Sequence, residues 1–547
     1  MNKFKLNILA FGALTLTFFS CSESLLNVEP QTSILDQNFY KTEADAEMAL
    51  VGCYDGYQRT SSNGNQSFYV VSNVLSDECF GGTGNTDGRG YQALDRFDIT
   101  QSPSDNNIFN GTWGDYYAGI FRCNTLLQKL PTISSWKSSD TTVVAKTKKR
   151  IEGETRFLRA IEYFDLVRLF EKVPLLTVPT TDNVAQSEAI ETYKLIVQDL
   201  KFAAANIPAT AYPKASVATN DGRVTSYAAK AMLARVYLFY TGYYGKDDLG
   251  VTKAEVLAGL EDVITSKEFA LVTDFKSLWP AASYVANKAA NTLDKSGYAG
   301  EGNIETVFAQ KFNNTQNYNG MLDGNRWLVM MGMRNTNWSP YGKGWGACTV
   351  NPKLMNAFAT GDTRKAASAI DVIGEGIEKT FDLKDQREYT GYTVKKYTPT
   401  ALPDGTSDTG GDKDFQISQD QDFVLIRYAD ILLMAAELDS PNALSYYNQV
   451  HTRAKLTAKT AVTPADILEE RRFEFAFEGL RYWDLLRHGL STAASTIAQT
   501  QKVLSGKAEE TITIDAANIT KTRGFMQIPN TQITLSNGVL KQNAGWK

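Results

Sequence analysis

The sequence predicts an all-α protein in which a helical-repeat scaffold carries long loop-rich insertions and only minor β content. Two observations lead to this expectation. Five segments have the residue spacing or the end signals of helices that bury one face. Between these segments, three stretches are rich in glycine, asparagine, serine and aspartate, and insertions of that length in a compact protein usually carry function.

The five predicted helices cover residues 152–170, 187–205, 225–240, 421–438 and 464–478. In the first, Phe157, Phe164 and their neighbours recur at three- and four-residue spacing, and Pro174 ends the helix. Ser187 and Thr225 stand where the side chain of a residue at the helix start can accept a backbone hydrogen bond. We therefore expect these two residues to cap the second and third helices.

Some of these helices have the spacing of a helix-pair repeat. Ala160 and Phe164 stand in the A-x3-F relation of the second helix of a tetratricopeptide unit. Residues 234 and 238, and again 429 and 433, repeat the spacing with leucine in place of phenylalanine. Because the intervals between the helices are irregular, helical repeats with long insertions fit better than a regular solenoid.

The three insertions cover residues 60–105, 273–350 and 390–420. The second contains many aromatic residues among glycine and asparagine, and it holds four of the eight tryptophans of the chain. The third is polar and rich in turn residues, with a predicted strand at Tyr392–Tyr397. The chain is long for one compact core, which favours two lobes joined by an extended interface.

Composition excludes several classes of function. Without residues 1–20 the formal charge moves from −5 to −7, which disfavours binding to nucleic acid. The two histidines are too far apart for a short zinc motif, so we expect no metal, no cofactor and no histidine-based catalytic residues. Four cysteines besides Cys21 do not make a disulfide scaffold in a chain of 547 residues.

The first twenty residues are typical of an export signal. Lys3 and Lys5 precede an apolar run that is too short to cross a bilayer, and Ser20 follows it. A small residue before a lone cysteine is the mark of a bacterial lipoprotein, which predicts cleavage after residue 20 and lipidation of Cys21. Stable anchoring then needs two or more acyl chains, which lipoproteins usually carry. The alternative is plain secretion with Cys21 as an ordinary thiol.

Several segments together resemble the SusD/RagB family of surface glycan-binding lipoproteins. They include LLNVEPQTSILDQNFYKTEADAEMALVGCYDGY near the N-terminus, WGDYYAGIFRCNTLLQKLP, GETRFLRAIEYFDLVRLFEKVPL, VTSYAAKAMLARVYLF and VLIRYADILLMAAEL. The most specific is EERRFEFAFEGLRYWDLLRHG at 469–489, and FMQIPNTQITLSNGVLKQNAGW closes the chain. The segments keep the order of the family and span nearly all of the chain after the signal.

The resemblance implies a scaffold of four tetratricopeptide-like helix pairs, with an N-terminal lobe at 21–270 and a C-terminal lobe at 271–547 in one structural unit. It implies a non-catalytic protein, lipid-anchored at the cell surface in the outer membrane, that binds glycan and passes it to a SusC-like TonB-dependent transporter. A branch of the family associated with peptide uptake makes a peptide ligand the alternative. A glycoside hydrolase or lyase is a third reading, because it would need only two carboxylates.

Sugars stack their C–H faces on aromatic rings, and their hydroxyls need polar partners at fixed positions. The predicted ligand-binding residues combine both on the first two insertions: Asp77, Asp87, Tyr91, Trp327, Trp338, Tyr341 and Trp345. For any single tryptophan core packing is favoured, but for the whole cluster at least one stacking residue is expected. Trp113 and Trp483 lie inside helices and should be structural. Glu470 and Glu474 share a helix face among arginines, which favours ion pairing over catalysis.

Overall fold

The computed structural model describes residues 39–62, 67–101, 107–209, 222–313, 324–409 and 414–546. The predicted signal segment and Cys21 lie outside these described residues. About 48% of the structure is helical and its strands are short, which confirms the predicted fold class. Within the described ranges no helix is both long and apolar enough to cross a membrane.

The helices share one naming scheme in chain order. In the N-terminal half they are α1 Glu43–Ser62, α2 Phe68–Val74, α3 Gly90–Asp95, α4 Asn110–Lys129, α5 Thr141–Phe170, α6 Ala189–Asn206, α7 Ser226–Tyr244, α8 Lys253–Ser266 and α9 Pro280–Ser283. They continue as α10 Arg326–Met331, α11 Pro352–Ala357, α12 Arg364–Ser368, α13 Tyr428–Glu437, α14 Ala443–Arg453, α15 Pro464–Glu474, α16 Arg481–Arg487, α17 Leu490–Ile497, α18 Ala516–Lys521 and α19 Asn530–Leu535. The described part of the chain also has short 3-10 helices at Leu130–Thr132, Phe275–Leu278, Ile377–Lys379 and Leu383–Asp385.

The long helices form a stack of neighbours. Helix α4 packs on α1 and α5, α6 lies between α5 and α7, and α8 follows on α7. The stack continues into the C-terminal half because α13 packs on α8, α14 and α15, while α16 packs on α7. This scaffold brings residues far apart in sequence together without using the insertions.

Within the described residues, twelve strands form six two-stranded sheets between the helices. They are β1 Cys79–Gly82, β2 Val285–Asn287, β3 Thr292–Asp294, β4 Thr306–Gln310, β5 Met333–Arg334, β6 Lys343–Gly344, β7 Ala347–Val350, β8 Ala369–Asp371, β9 Tyr392–Val394, β10 Phe423–Arg427, β11 Gln499–Ser505 and β12 Ala508–Ile514. The pairs are β1–β7, β2–β3, β4–β10, β5–β6, β8–β9 and β11–β12, and all but β5–β6 are antiparallel. The pair β1–β7 matters most for the site because it joins the first insertion to the second.

The predicted helices are present, but several of their ends differ from the prediction. The segment 421–438 is wrong as one helix, because Phe423–Arg427 is a strand paired with β4 and the helix begins at Tyr428. Ser187 is wrong as a cap, since Glu188 stands before α6 and no side chain accepts a hydrogen bond there. The first predicted helix begins at Thr141, where Asp140 caps it. The cap at Thr225 is confirmed by its bond from the Ala228 N–H.

A buried network of ion pairs lies at the centre of the C-terminal half. Glu474 is fully buried and accepts from Arg427 at 2.8 Å and from Arg453. Glu305 lies between the same two arginines, 2.6 Å from each. Burial alone would raise the pKa of Glu474, but the surrounding arginines hold that pKa well below its usual range. This confirms the structural reading of Glu470 and Glu474, because Glu470 is also buried and pairs with Arg364 at 2.6 Å.

Candidate functional site

A cleft of about 480 Å³ lies where the first and second insertions meet. Its lining residues are Thr83, Asp87, Gly88, Gly90, Tyr91, Ile108, Met330, Arg334 and Trp345. Three of the predicted ligand-binding residues, Asp87, Tyr91 and Trp345, are therefore brought together. The volume falls within the roughly 300–1,000 Å³ typical of small-molecule sites.

The strand pair β1–β7 sets the two walls of the cleft side by side. Cys79 pairs with Val350 and Gly82 with Ala347, so the chain leaves β1 next to the point where it enters β7. The Thr83 N–H extends this pairing by donating to the Gly346 carbonyl at 2.7 Å. A side chain on Gly81 would reach within 2.7 Å of the Tyr91 backbone, so glycine permits this close approach.

Arg387 fixes the loop that follows β1. Its guanidinium donates to the carbonyls of Asn85 and Asp87 at 2.7 Å each, and to the Gly88 carbonyl at 3.2 Å. The arginine is 5% exposed, so these bonds lie largely away from water. One buried cation therefore replaces the backbone pairing that this irregular loop lacks.

The rim of the cleft carries a charged pair. Arg334 lies 3.1 Å from Asp87 and 2.8 Å from Asp385, and its side chain is 12% exposed. Asp87 is 40% exposed and also accepts from the Gly84 N–H at 2.8 Å. A β-carbon on Gly84 would lie 2.1 Å from the Arg334 guanidinium, so any larger residue there would force that side chain to move. Both charged groups line the cleft and can exchange hydrogen bonds with a polar ligand.

Trp345 and Tyr91 supply the aromatic part of the lining. The Arg326 guanidinium lies 5.1 Å from the centre of the Trp345 ring, in the range of a cation–π contact. Trp345 is half-buried, while Tyr91 is 8% exposed. Burial raises the pKa of Tyr91 well above its usual value, so the phenol stays neutral. Met330 and Ile108 add apolar surface beside the rings.

Trp327 and Tyr341 are wrong as ligand-binding residues. Trp327 is fully buried, and its ring lies 4.6 Å from that of Tyr397 and 4.7 Å from that of Phe423. Tyr341 is 6% exposed and its hydroxyl donates to Glu375 at 2.7 Å. Both rings are part of the hydrophobic core, the outcome favoured for any single aromatic residue.

Asp77 is also wrong as a ligand-binding residue. Its carboxylate is fully buried and lies 3.0 Å from Arg472 and 2.8 Å from Arg481. Burial opposes the charge, but the two arginines outweigh it and lower the pKa of Asp77. Asp77 therefore ties the start of β1 to the scaffold helices α15 and α16.

Trp338 is exposed but lies outside the lining of the cleft. It is 37% exposed and pairs through its backbone with Tyr341. The next residue before it, Asn337, lines a second concavity of about 400 Å³ together with Lys343 and Phe415. The Lys343 ammonium lies 4.5 Å from the centre of the Phe415 ring. Trp338 is thus a surface aromatic whose role as a ligand residue stays a prediction.

Sequence reasoning missed several residues of the cleft. Arg334 lies in the aromatic-rich insertion, so the rule that a glycan site combines aromatics with charged loop residues could have found it. Arg387 carries no comparable signal, because it lies between the second and third insertions and acts only through backbone carbonyls. Trp113 and Trp483 are 5% and 3% exposed, which confirms their structural role. Within the described ranges no group of three or more His, Cys, Asp or Glu side chains could hold a metal ion.

The chain belongs to the SusD family, whose members are carbohydrate-binding proteins and not enzymes. A profile described as "SusD family" matches residues 384–546, and one described as "Starch-binding associating with outer membrane" matches residues 33–238. Among the relatives, the chain is 27% identical to SusD-like protein P38 of Formosa agariphila, over 89% of this chain and 92% of that protein.

Solved structures share the fold over almost the whole chain. A laminarin-binding SusD-like protein superposes with a TM-score of 0.69 at 26% identity, covering 93% of this chain and 100% of that one. A surface glycan-binding protein A of Bacteroides thetaiotaomicron, in complex with laminarihexaose, gives a TM-score of 0.72 at 22% identity, covering 92% and 100%.

Proposed function

We propose that the protein binds glycan in the cleft between the first two insertions without cleaving it. The observation that carries the proposal is that Trp345, Tyr91, Asp87 and Arg334 line one concavity. An aromatic ring can stack on a sugar face, while a carboxylate and a guanidinium beside it accept from and donate to hydroxyls. The names of the laminarin-binding neighbours support a glucan as the first ligand to test.

The rim charges favour binding over hydrolysis. A hydrolase needs one carboxylic acid in an apolar pocket and a second carboxyl group at a fixed distance. Asp87 instead lies against Arg334, and Asp385 pairs with the same arginine. Both carboxylates are therefore paired with one cation at a partly exposed rim, and neither lies in an apolar pocket. Incubation with polysaccharides should release no product over time, and steady release would contradict the proposal.

Titration calorimetry of the protein with laminarin, starch and other glycans, and with peptides, tests the site. Trp345→Ala should weaken glycan binding about tenfold or more, because a stacked aromatic contact contributes roughly 0.5–1.5 kcal/mol beyond the area it buries. Trp338→Ala is the matched control, since that exposed ring lies outside the cleft. Its affinity should stay within about twofold of the unaltered protein.

The other outcomes of this titration are equally informative. Unchanged binding in Trp345→Ala would refute the cleft, and a loss confined to Trp338→Ala would transfer the site to the concavity beside Asn337. Binding of peptides in place of glycans would favour the peptide-uptake alternative.

Lipid anchoring and delivery to a transporter are the remaining parts of the proposal. Outer-membrane association belongs to the family, and the lipoprotein signal ending at Ser20 supports an anchor on Cys21. Cys21→Ser should release the protein from membranes in cell fractionation, and retention would contradict lipidation.

The full chain, tagged at its C-terminus in its native cells, should co-purify with a SusC-like TonB-dependent barrel. Recovery without such a barrel would contradict delivery to a transporter.

A further inference from the structure

Helices α1 and α4 approach each other unusually closely through small residues. A side-chain carbon built on Gly56 of α1 would lie only 3.0 Å from the α-carbon of Gly119 on α4. A contact of 3.0 Å is tighter than nine in ten of those that real β-carbons make, so the two backbones come close here because both residues lack a side chain. Small residues on facing helices are what permits this approach.

Cys53 and Cys123 lie on the same seam. Cys53 stands three positions before Gly56 on α1, and Cys123 stands four positions after Gly119 on α4, spacings that keep each pair on one helix face. Both cysteines are fully buried as free thiols, and their side chains are in hydrogen-bonding contact. A disulfide needs α-carbons about 4.4–6.8 Å apart, a separation that only closely packed helices provide.

We propose that Cys53 and Cys123 form a disulfide in the exported protein. The bond forms by thiol–disulfide exchange with an oxidised dithiol protein or small-molecule disulfide outside the inner membrane. One thiolate attacks the oxidant's disulfide, giving a mixed disulfide and one thiol. The second cysteine then attacks the mixed disulfide and displaces the remaining oxidant sulfur. Two electrons pass to the oxidant, which leaves as two thiols that carry the two protons lost by the cysteines.

The bond forms before the helices close. Burial raises the pKa of the Cys123 thiol well above its usual value, and the neighbouring Cys53 thiol adds to the effect. An oxidant would reach neither sulfur in the folded protein, because both residues are fully buried. The inference goes beyond glycan binding and shares with the proposed function only a location outside the inner membrane, where disulfides persist.

The second pair of cysteines provides an internal comparison. Cys79 and Cys348 are also buried and in contact, but they lie on β1 and β7. The register places Cys79 opposite Val350 and Phe80 opposite Thr349, so Cys348 is a diagonal neighbour of Cys79. Diagonal α-carbons in an antiparallel pair are about 7–8 Å apart, beyond the reach of an unstrained disulfide. We expect this pair to stay reduced.

Peptide mapping by mass spectrometry tests the assignment. The full protein is purified from the membranes of its native cells with a thiol-blocking reagent present throughout, then unfolded and digested without reductant. A linked peptide pair containing Cys53 and Cys123, with the blocking group on Cys79 and Cys348, is the expected result. Blocking groups on both Cys53 and Cys123 would overturn the proposal. So would a bond from either residue to another cysteine.

Thermal unfolding with and without reductant provides a second readout. Protein that is unfolded and refolded with reductant, so that the buried bond is reached, should melt about 5 °C below protein that is refolded without reductant, because the bond closes a long loop. The double variant Cys53→Ala, Cys123→Ala should show no effect of reductant, whereas Cys79→Ala, Cys348→Ala should keep it. An unaltered protein insensitive to reductant would refute a stabilising bond. Glycan titration distinguishes this proposal from the proposed function. If the cleft bound no glycan, the proposed function would fail, but the peptide map would be unchanged.

Discussion

Replacing Glu474 by glutamine should be among the most destabilising single changes in the protein. The side chain is fully buried and accepts from Arg427 at 2.8 Å and from Arg453, while Arg364 lies 3.4 Å away. Glutamine has nearly the same shape but no charge, so Arg427 and Arg453 would lose one of the two buried carboxylates that they share. Removing one partner of a buried ion pair costs about 3–5 kcal/mol, and we expect the free energy of unfolding to fall by that amount.

Urea unfolding followed by tryptophan fluorescence measures this loss, because it shifts the midpoint in proportion to the free energy. Glu509→Gln is the matched control. Glu509 pairs with Lys502 at 2.7 Å, but the two side chains are 62% and 69% exposed. An exposed pair of this kind contributes about 0–1 kcal/mol, so the control midpoint should hardly change. Equal losses in the two variants, or a loss of less than about 1 kcal/mol in Glu474→Gln, would show that the buried ion pairs do not stabilise the fold as expected.

Three further changes have defined outcomes. Arg387→Ala should weaken glycan binding about tenfold and speed hydrogen exchange in residues 83–90, because the loop carbonyls lose their common donor; unchanged exchange would contradict this. Trp327→Ala should cost about 3–5 kcal/mol in urea unfolding, against less than about 0.5 for the exposed Trp338→Ala; equal losses would contradict the burial argument. Burial opposes the charge of Asp430, but Arg235 and Arg471 lower its pKa to about 2. The charged carboxylate therefore adds about 2 kcal/mol to the free energy of unfolding above pH 3.8, and this contribution disappears as the pH falls through 2. Acid unfolding of Asp430→Asn should lack this component.

The scaffold was predictable from sequence because helical periodicity records which face is buried. Thr225 could be recognised as a cap from its position alone, since capping depends on a single side chain and the next turn. The prediction of one helix at 421–438 was wrong because a continuous apolar run is compatible with a buried strand as well as with a helix. Only pairing with β4, more than a hundred residues earlier, makes Phe423–Arg427 a strand.

The candidate site was predictable in part, and the limits are physical. Asp87, Tyr91 and Trp345 were found because polar and aromatic loop residues are the chemistry that a sugar requires. Trp327 has the same chemistry and lies in the same insertion, but it is fully buried between rings of distant segments. Burial of a loop side chain depends on long-range packing, which local sequence does not encode.

The position of the cleft follows from the motif that carried the strongest family resemblance. Asp77 and Glu78 immediately precede β1, and Asp77 is held by arginines of α15 and α16 while Glu78 accepts from the Phe477 N–H at 3.0 Å. The Asn351 N–H, just after β7, donates to the Glu78 carbonyl at 2.7 Å. The scaffold segment at 469–489 therefore holds one end of β1, and β1 holds one end of β7.

Both strands lead from that anchored end to the cleft at the other, where Thr83 and Trp345 face the same cavity. The acidic pair at 77–78 contacts the scaffold at one end of β1, whereas the residues that line the cleft lie beyond its other end. Asp77, misread as a sugar contact, thus acts on the site from the far end of β1. The structure therefore separates the residues that anchor the two strands from the residues that line the cleft.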